Sequence, residues 1–391
     1  MTKKTIKNNE RKKIMNDHKF QEFIAERNLA QKTIKTYVDA LKIYVKINNK
    51  SLSALISEAD CEEEERIRAK NRQINKRLKH YRQHLIQDKN YGTSTIKEYF
   101  TKIKSFYRHF EIEIPYMPPV QLREDHHERY HDIPTIEHIQ QALEATNNLL
   151  LKSLILFMSS SGTAVNETLH IHVSDFITAT NEYHKTNNID DCLNEIGKQD
   201  DVVPLFELVR IKTDYPYYTC CSYEATTMIV KYLRTREKLK PSDFLFNIKN
   251  VGMNKLFARL NDKLGWGKVN KYSFFRPHNL RKFNATTIED ISFANTIQGR
   301  KADTITETYF KNNPIRIKEK YLEYLPRLTI YKTVVTNLDS AEVKKLKDEF
   351  HDALSLKDKK IKDLEDGMYS LRQDLKDLLK EELVNLGLKE K

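Results

Sequence analysis

The amino-acid sequence predicts a mainly α-helical protein with a small β-sheet: a helical N-terminal domain, a mixed α+β domain and a C-terminal helical tail. Three observations carry this reading. Apolar residues recur at helical spacing through the first 120 positions. One segment, 204–219, alternates with the two-residue period of a strand. After Thr329 the composition shifts to Lys, Asp, Glu and Leu with no proline. At 391 residues the chain is too long for one ordinary core, since a domain takes roughly 150 residues.

The elements follow in order. The opening MTKKTIKNNERKK carries charge with no apolar run behind it, which predicts a basic arm over 1–17 and no secretory signal. A helical domain is expected over 18–120. Its core candidates are Phe20, Phe23 and Ile24, then Ile34, Tyr37, Val38, Leu41 and Tyr44, then Ile74, Leu78, Tyr81 and Leu85. Thr33 and Thr95 are placed at helix starts, where a hydroxyl satisfies orphan amide donors. Pro115, Pro118 and Pro119 break the pattern, and 121–132 reads as a linker. Over 133–330, helices are expected at 135–145, 149–159 and 224–236. The alternation in FELVRIKTDYPYYTC gives two strands, with Thr213, Asp214, Tyr215 and Pro216 supplying turn residues. In the tail, 331–391, Val343, Leu346 and Phe350 follow one heptad phase. Ile361, Leu364, Met368, Leu371, Leu375 and Leu378 follow another, consistent with a coiled coil or with a helix docked on its own domain.

Charge selects the partner class. Lys+Arg number 67 against 55 Asp+Glu, a net charge of +12 and a pI near 9.2, which points to a polyanion. Between Arg66 and Arg108 thirteen basic residues face two acidic ones, Asp88 and Glu98, so acids at i±4 cannot neutralise this stretch. Arg72, Arg77, Lys97 and Lys104 are its candidate phosphate contacts. With 39% hydrophobic residues, 31% charged and a mean hydropathy of −0.67, the chain reads as folded and not as a membrane protein. Its longest apolar run, 149–158, is interrupted by Lys152 and falls short of the ~20 residues that span a bilayer. Cys61, Cys192, Cys220 and Cys221 form no C-x-x-C pair, and His126, His127 and His131 lack a second ligand cluster. There is no G-x-x-x-x-G-K phosphate loop and no paired-carboxylate metal motif. The expectation is a cytoplasmic, nucleoid-associated protein that needs neither metal nor cofactor.

One segment carries groups suited to a phosphodiester. In RPHNLRKF, His278 and Arg281 stand at i, i+3, so both project from one helix face. An arginine fork binds two phosphate oxygens, and an imidazole adds a hydrogen bond or carries a proton.

The order of motifs around this box resembles the tyrosine recombinase or phage integrase family, most of all its archaeal branch. HNLR, after Pro277 and before Phe283, resembles the family's H-x-x-R box. TITETYFKNNP resembles its nucleophile segment and implies Tyr309 as the attacking residue. RIKTDYPYYTC resembles the β-hairpin that carries a lysine, here Lys212. SSSGTAVNETLHIHVSDFI resembles the opening box, with Gly162, Glu167, Leu169 and Asp175 in order. KTIKTYVDAL and STIKEYFTKIKSFYRHF resemble the helical domain that binds core DNA. The resemblance spans roughly 18–330. It implies an N-terminal core-binding domain, a mixed catalytic domain, a double-stranded DNA partner, self-association on DNA, and cleavage and rejoining through a 3′-phosphotyrosyl intermediate without a cofactor.

Two departures stand out. The opening box has its arginine two or three residues before the glutamate, where this chain has Val165 and Ala164, and no Lys or Arg occurs from Ser153 to His184. In IQGRKADT, Arg300 stands where histidine is usual. The retained set is Arg281 to hold charge, Lys212 as general acid to the leaving 5′-oxygen, His278 as hydrogen-bonding partner, Arg300, and Tyr309 as nucleophile. An oxyanion donor is worth ~10²–10³ in rate. The missing guanidinium therefore leaves two readings open: a site-specific integrase of a mobile element with weakened or lost activity, or a catalytically degenerate DNA-binding accessory or regulatory protein.

Overall fold

A computed structural model describes residues 3–88, 91–118, 129–186, 188–300 and 313–331. Tyr309, His126 and His127 lie outside the described residues, as do the tail from 332 on and most of the expected linker. The chain divides into two compact units: 1–133 with 265–274, and 134–264 with 275–391. Among the described residues it is mainly helical, with two small antiparallel sheets.

The first unit is built from α1 (Lys3–Met15), α2 (His18–Arg27), α3 (Gln31–Asn48), α4 (Leu52–Glu64), α5 (Gln73–Gln87) and α6 (Thr93–His109). The helical periodicities become its core. Phe20, Phe23, Tyr37, Leu41, Tyr44, Leu78, Tyr81 and Leu85 are all buried, joined by Ile103, Phe106 and Tyr107. Tyr44 and Tyr107 bury their hydroxyls against each other at 3.1 Å, and Tyr81 donates to Ala40 O, so each aromatic polar tip is satisfied. The residues expected as a basic arm include α1, whose Ile14 enters this core and whose Arg11 pairs with Asp39 at 2.8 Å. Thr33 and Thr95 do not cap. The helices begin two residues earlier, capped by Ala30 and Gly92 without a side-chain bond, because extended backbone at those positions already starts the turn. A short hairpin, Lys268–Val269 with Tyr272–Ser273, belongs to the same unit.

The second unit is organised around α8 (Leu149–Ser161). This is the apolar run seen in the sequence, and from Ser153 to Ser161 it is buried on every side. A helix that is apolar all round must be enclosed by neighbours. Here they are α7 (Ile136–Glu144), α12 (Tyr223–Leu233), α13 (Asn250–Lys263) and α14 (Pro277–Ile288). The short α9 (Val165–Leu169), α10 (Val173–Ala179) and α11 (Ile189–Ile196) follow α8, while α15 (Ile291–Ile297) and α16 (Pro314–Leu328) follow α14. The expected strands form a hairpin, β1 (Leu205–Arg210) and β2 (Tyr215–Cys220), in the register Phe206↔Thr219, Leu208↔Tyr217 and Arg210↔Tyr215; Tyr215 and Pro216, expected in the turn, open β2 instead, and the turn is 211–214. No described helix is long and apolar enough to cross a membrane.

Candidate active site

Three chain reversals in the second unit converge on a cluster of arginines. At the first, α8 ends in Gly162 with φ +65, a left-handed conformation that glycine adopts without a Cβ penalty. A Cβ there would fall on Asn284 Oδ1, so the close approach also requires glycine. At the second, α15 ends in the turn Gln298–Gly299. Gly299 has φ +61, and a Cβ on it would lie 2.6 Å from the Tyr217 ring. The third is the β1–β2 hairpin. Its inward face alternates Phe206, Leu208 and Arg210 against Tyr215, Tyr217 and Thr219. That face meets the ends of α8 and α15: Thr219 donates to Ser161 O at 3.0 Å, and Arg210 donates to Gln298 O at 3.0 Å.

Arg281 lies at the centre, one turn into α14 and 4% exposed. Its Nη1 donates to Gly162 O at 2.7 Å and its Nη2 to Gln298 O at 2.8 Å, so both neighbouring reversals hold the guanidinium in place. Two buried amides lock that frame. Asn284 donates to Ser159 O and Ser160 O, and Gln298 Nε2 donates to Arg281 O and to Asn284 Oδ1. Carbonyl dipoles orient the cation without cancelling its charge. No carboxylate forms an ion pair with Arg210, Arg281 or Arg300 among the described residues.

The electrostatics follow from that arrangement. Burial lowers the Arg281 pKa to about 10, with Arg300 and then Arg210 pressing in the same direction, so the group stays charged at neutral pH. Arg300 is lowered too, by burial first and Arg210 second. Glu167 is the acidic neighbour. It favours the charged form of Arg281, but its buried Oε2 has no hydrogen-bond partner among the described residues. The Tyr217 phenol, buried beside it, is also without a partner there. Burial raises its pKa and Glu167 adds to that, against the pull of Arg281 and Arg210. The centre therefore holds three guanidiniums against one carboxylate.

The sequence-predicted residues divide around this centre. Arg281 and Arg300 are brought into one electrostatic neighbourhood. His278 stands exposed on the first turn of α14, which opens with Pro277 at its first helical position. Lys212 is exposed in the turn between β1 and β2. Ala164 caps α9 and Val165 begins it, where no cation is available. Sequence reasoning missed Arg210, Asn284 and Gln298. The first had a signal in the strand alternation, because Arg210 shares the parity of Phe206 and Leu208.

The candidate phosphate contacts of the first unit stand in different surroundings. Arg72 donates to Glu63 at 2.7 Å and to Glu113 at 3.1 Å, and Arg77 donates to both Glu58 oxygens at 2.8 and 2.9 Å. Both are mostly buried and internally paired, because the balancing acids come from α4 and from the segment after α6 and not from i±4. Lys97 remains exposed, and Lys104 lies over the Phe100 ring at 5.0 Å with its pKa lowered by burial and then by Arg108. Among the described residues no group of three His, Cys, Asp or Glu side chains could hold a metal ion.

Residues 18–114 match the phage integrase N-terminal SAM-like domain. No curated protein matches the chain significantly. Among solved structures it is similar to the Tn1549 transposon integrase in complex with circular intermediate DNA, at 14% identity and a TM-score of 0.48, covering 78% of this chain and 98% of that one. It is similar to a lambda integrase tetramer bound to a Holliday junction, at 14% identity and a TM-score of 0.48, covering 75% of each. A third likeness is to the XerH site-specific recombinase bound to a palindromic difH substrate, at 15% identity and a TM-score of 0.46, covering 75% and 80%.

Proposed function

We propose that this protein is a tyrosine-type DNA strand-exchange enzyme, an integrase that cuts and rejoins duplex DNA at a specific site. The observation that carries the reading is the arginine centre: Arg281 is buried, clamped by two backbone carbonyls, and accompanied by Arg210 and Arg300 without an ion pair among the described residues. A pre-oriented, unneutralised cationic site suits a reaction in which negative charge accumulates on non-bridging phosphate oxygens. The phage integrase match over 18–114 supports a DNA partner for the first unit.

In the proposed reaction the Tyr309 oxygen, passing its proton to water, attacks the scissile phosphorus. The bond from phosphorus to the 5′-oxygen breaks, Lys212 delivers a proton to that oxygen, and a 3′-phosphotyrosyl link with a free 5′-hydroxyl results. Attack by a 5′-hydroxyl on that link restores the phosphodiester and frees the tyrosine. Arg281 and Arg300 hold the phosphate, and His278 hydrogen-bonds it. The bond energy is retained in the ester, so the cycle consumes no nucleotide. Self-association on DNA, placement with the nucleoid and descent from an archaeal mobile element complete the proposal, and rest on the motif resemblance.

A second reading is favoured by one observation, the absence of a cation at Ala164 and Val165: the same fold bound to DNA as an accessory protein that does not cut. One experiment separates the two. The protein is mixed with a pool of nicked duplexes carrying a randomised core, so that a cleaved fragment diffuses away and traps any adduct. The enzyme reading predicts covalent adducts that enrich a defined sequence and disappear in Tyr309→Phe. Sequence-selective binding without any adduct identifies the accessory protein.

A further inference from the structure

Burial divides the inward face of the hairpin. Phe206 and Leu208 enter the core, whereas Arg210, next on the same face, stops at the edge, half-buried, where the strand gives way to the turn. Its Nη1 reaches Gln298 O, the same oxygen that accepts from Arg281 Nη2. Two guanidiniums thus meet on one neutral acceptor. Like charges so placed repel, no carboxylate pairs with either among the described residues, and Glu167 nearby sets one negative charge against three guanidiniums. Holding a carbonyl in place would need only one donor. Gln298 O already has Arg281.

We propose that Arg210 is a further phosphate-binding guanidinium of this site, beside Arg281 and Arg300, supplied from the β-hairpin in place of the arginine that the opening box lacks at Ala164 and Val165. The inference rests on the phosphodiester reading above and deepens it. Arg210 and Arg281, brought together at the Gln298 carbonyl, grip the non-bridging oxygens from two elements, the strand and α14, and Arg300 follows two residues after that carbonyl. The downward pressure that Arg210 exerts on the pKa of both Arg281 and Arg300 agrees with a shared anion site. A phosphate bound there would relieve the repulsion, which makes the cluster strained when empty and favourable when filled.

The test separates charge from scaffolding. Arg210→Gln keeps an N–H donor for Gln298 O and removes the cation, while Arg210→Lys keeps charge without the fork. On the duplex selected from the randomised pool, Arg210→Gln is expected to slow adduct formation ~10²-fold or more, with Arg210→Lys intermediate. On the same duplex with a neutral methylphosphonate at the scissile position, the defect should shrink below ~10-fold, because one anionic oxygen no longer needs a partner. Equal defects on both substrates would make Arg210 a structural residue, and wild-type rates in Arg210→Gln would overturn the proposal. A second readout is independent of cleavage. Inorganic phosphate is titrated into the full chain while the arginine Nε–Hε resonances are followed by NMR. Arg210 and Arg281 should move with a common midpoint, weakened at least ~10-fold in Arg210→Gln. If the wild type forms no adduct yet shows this coupled titration, the cleavage reading fails and the paired-arginine site stands. A phosphate midpoint unchanged by Arg210→Gln refutes the inference whatever the adduct assay gives.

Discussion

Two pairs of arginines, one in each unit of this chain, are held in opposite ways. In the helical unit, Arg72 and Arg77 reach carboxylates on neighbouring segments, and the Glu58 pair with Arg77 is doubly hydrogen-bonded. In the mixed unit, Arg281 and Arg210 are held by backbone carbonyls, and the nearby Glu167 leaves one oxygen without a partner among the described residues. A carboxylate neutralises an arginine and uses it as structure. A carbonyl fixes its direction and leaves the charge available. The number of basic residues points to the first group, but the unneutralised ones carry the candidate chemistry.

The contrast is most exposed to Arg281→Ala. The substitution strips the buried side-chain donor from Gly162 O, at about 1–3 kcal/mol for an acceptor left unsatisfied, takes one of two donors from Gln298 O, which keeps Arg210, and removes the central cation of the site. A melting temperature lower by roughly 5–10 °C and a cleavage rate lower by at least ~10²-fold are expected together. Retained cleavage would separate the buried arginine from the chemistry. Next in size is Gly162→Ala. The left-handed backbone costs a Cβ about 1–2 kcal/mol, and the collision with Asn284 adds to it. Denaturant unfolding should show a loss of about 2 kcal/mol or more, and an unaltered midpoint would mean that the α8 end is not clamped as described.

Arg77→Ala should behave differently: a stability loss of about 2 kcal/mol in denaturant unfolding, with the adduct rate on saturating DNA unchanged. Its partner adds a pH signature. Burial pushes the Glu58 carboxyl up, but hydrogen bonds and charge from Arg77 and Lys50 outweigh it, so its pKa lies below the ordinary 4.5. A carboxyl with a depressed folded pKa contributes stability that is present above the unfolded value and lost as pH falls through the folded one. The stability gap between wild type and Glu58→Gln should therefore be full at pH 7 and close as pH falls below 4.5 and through the lower folded value. A gap that persists in acid would mean that packing, not charge, holds the pair. The smallest effect belongs to Lys97 and Lys104. Replacing both by Ala should lower the slope of log affinity against log salt by about 0.9 for each phosphate that the two lysines neutralise. An unchanged slope would assign them to a solvated face.

Much of this fold is legible in the sequence, for local reasons. Phe20, Tyr37, Leu41, Tyr81 and Leu85 declare a helical core by spacing alone, the run at 149–158 declares an enclosed helix, and FELVR with YPYYTC declares a hairpin. What escapes is set by distance along the chain. Nothing near Arg77 in the 66–108 stretch reveals Glu58, which lies one helix back, so a locally unbalanced charge looks free in the sequence and is paired in the fold. Conversely, Arg281, Gln298 and Gly162 come from three separated motifs, and only tertiary packing shows that one carbonyl serves both Arg281 and Arg210. Lys212 stands out because a motif resemblance singles it out. Arg210, two residues earlier, stands on the core-facing side of its strand in plain alternation, and weighing the strand's face as well as its motif finds it.

The central claim is that the carbonyl-clamped arginine centre of the second unit serves a tyrosine that becomes covalently joined to DNA. Peptide mapping by mass spectrometry, applied to the adduct trapped from the nicked duplex pool after nuclease digestion, tests it most directly. The account predicts a nucleotide attached through its 3′-phosphate to Tyr309, and no such peptide in Arg281→Ala at the same exposure. Attachment at a different residue, or sequence-selective binding with no modified peptide, would contradict it.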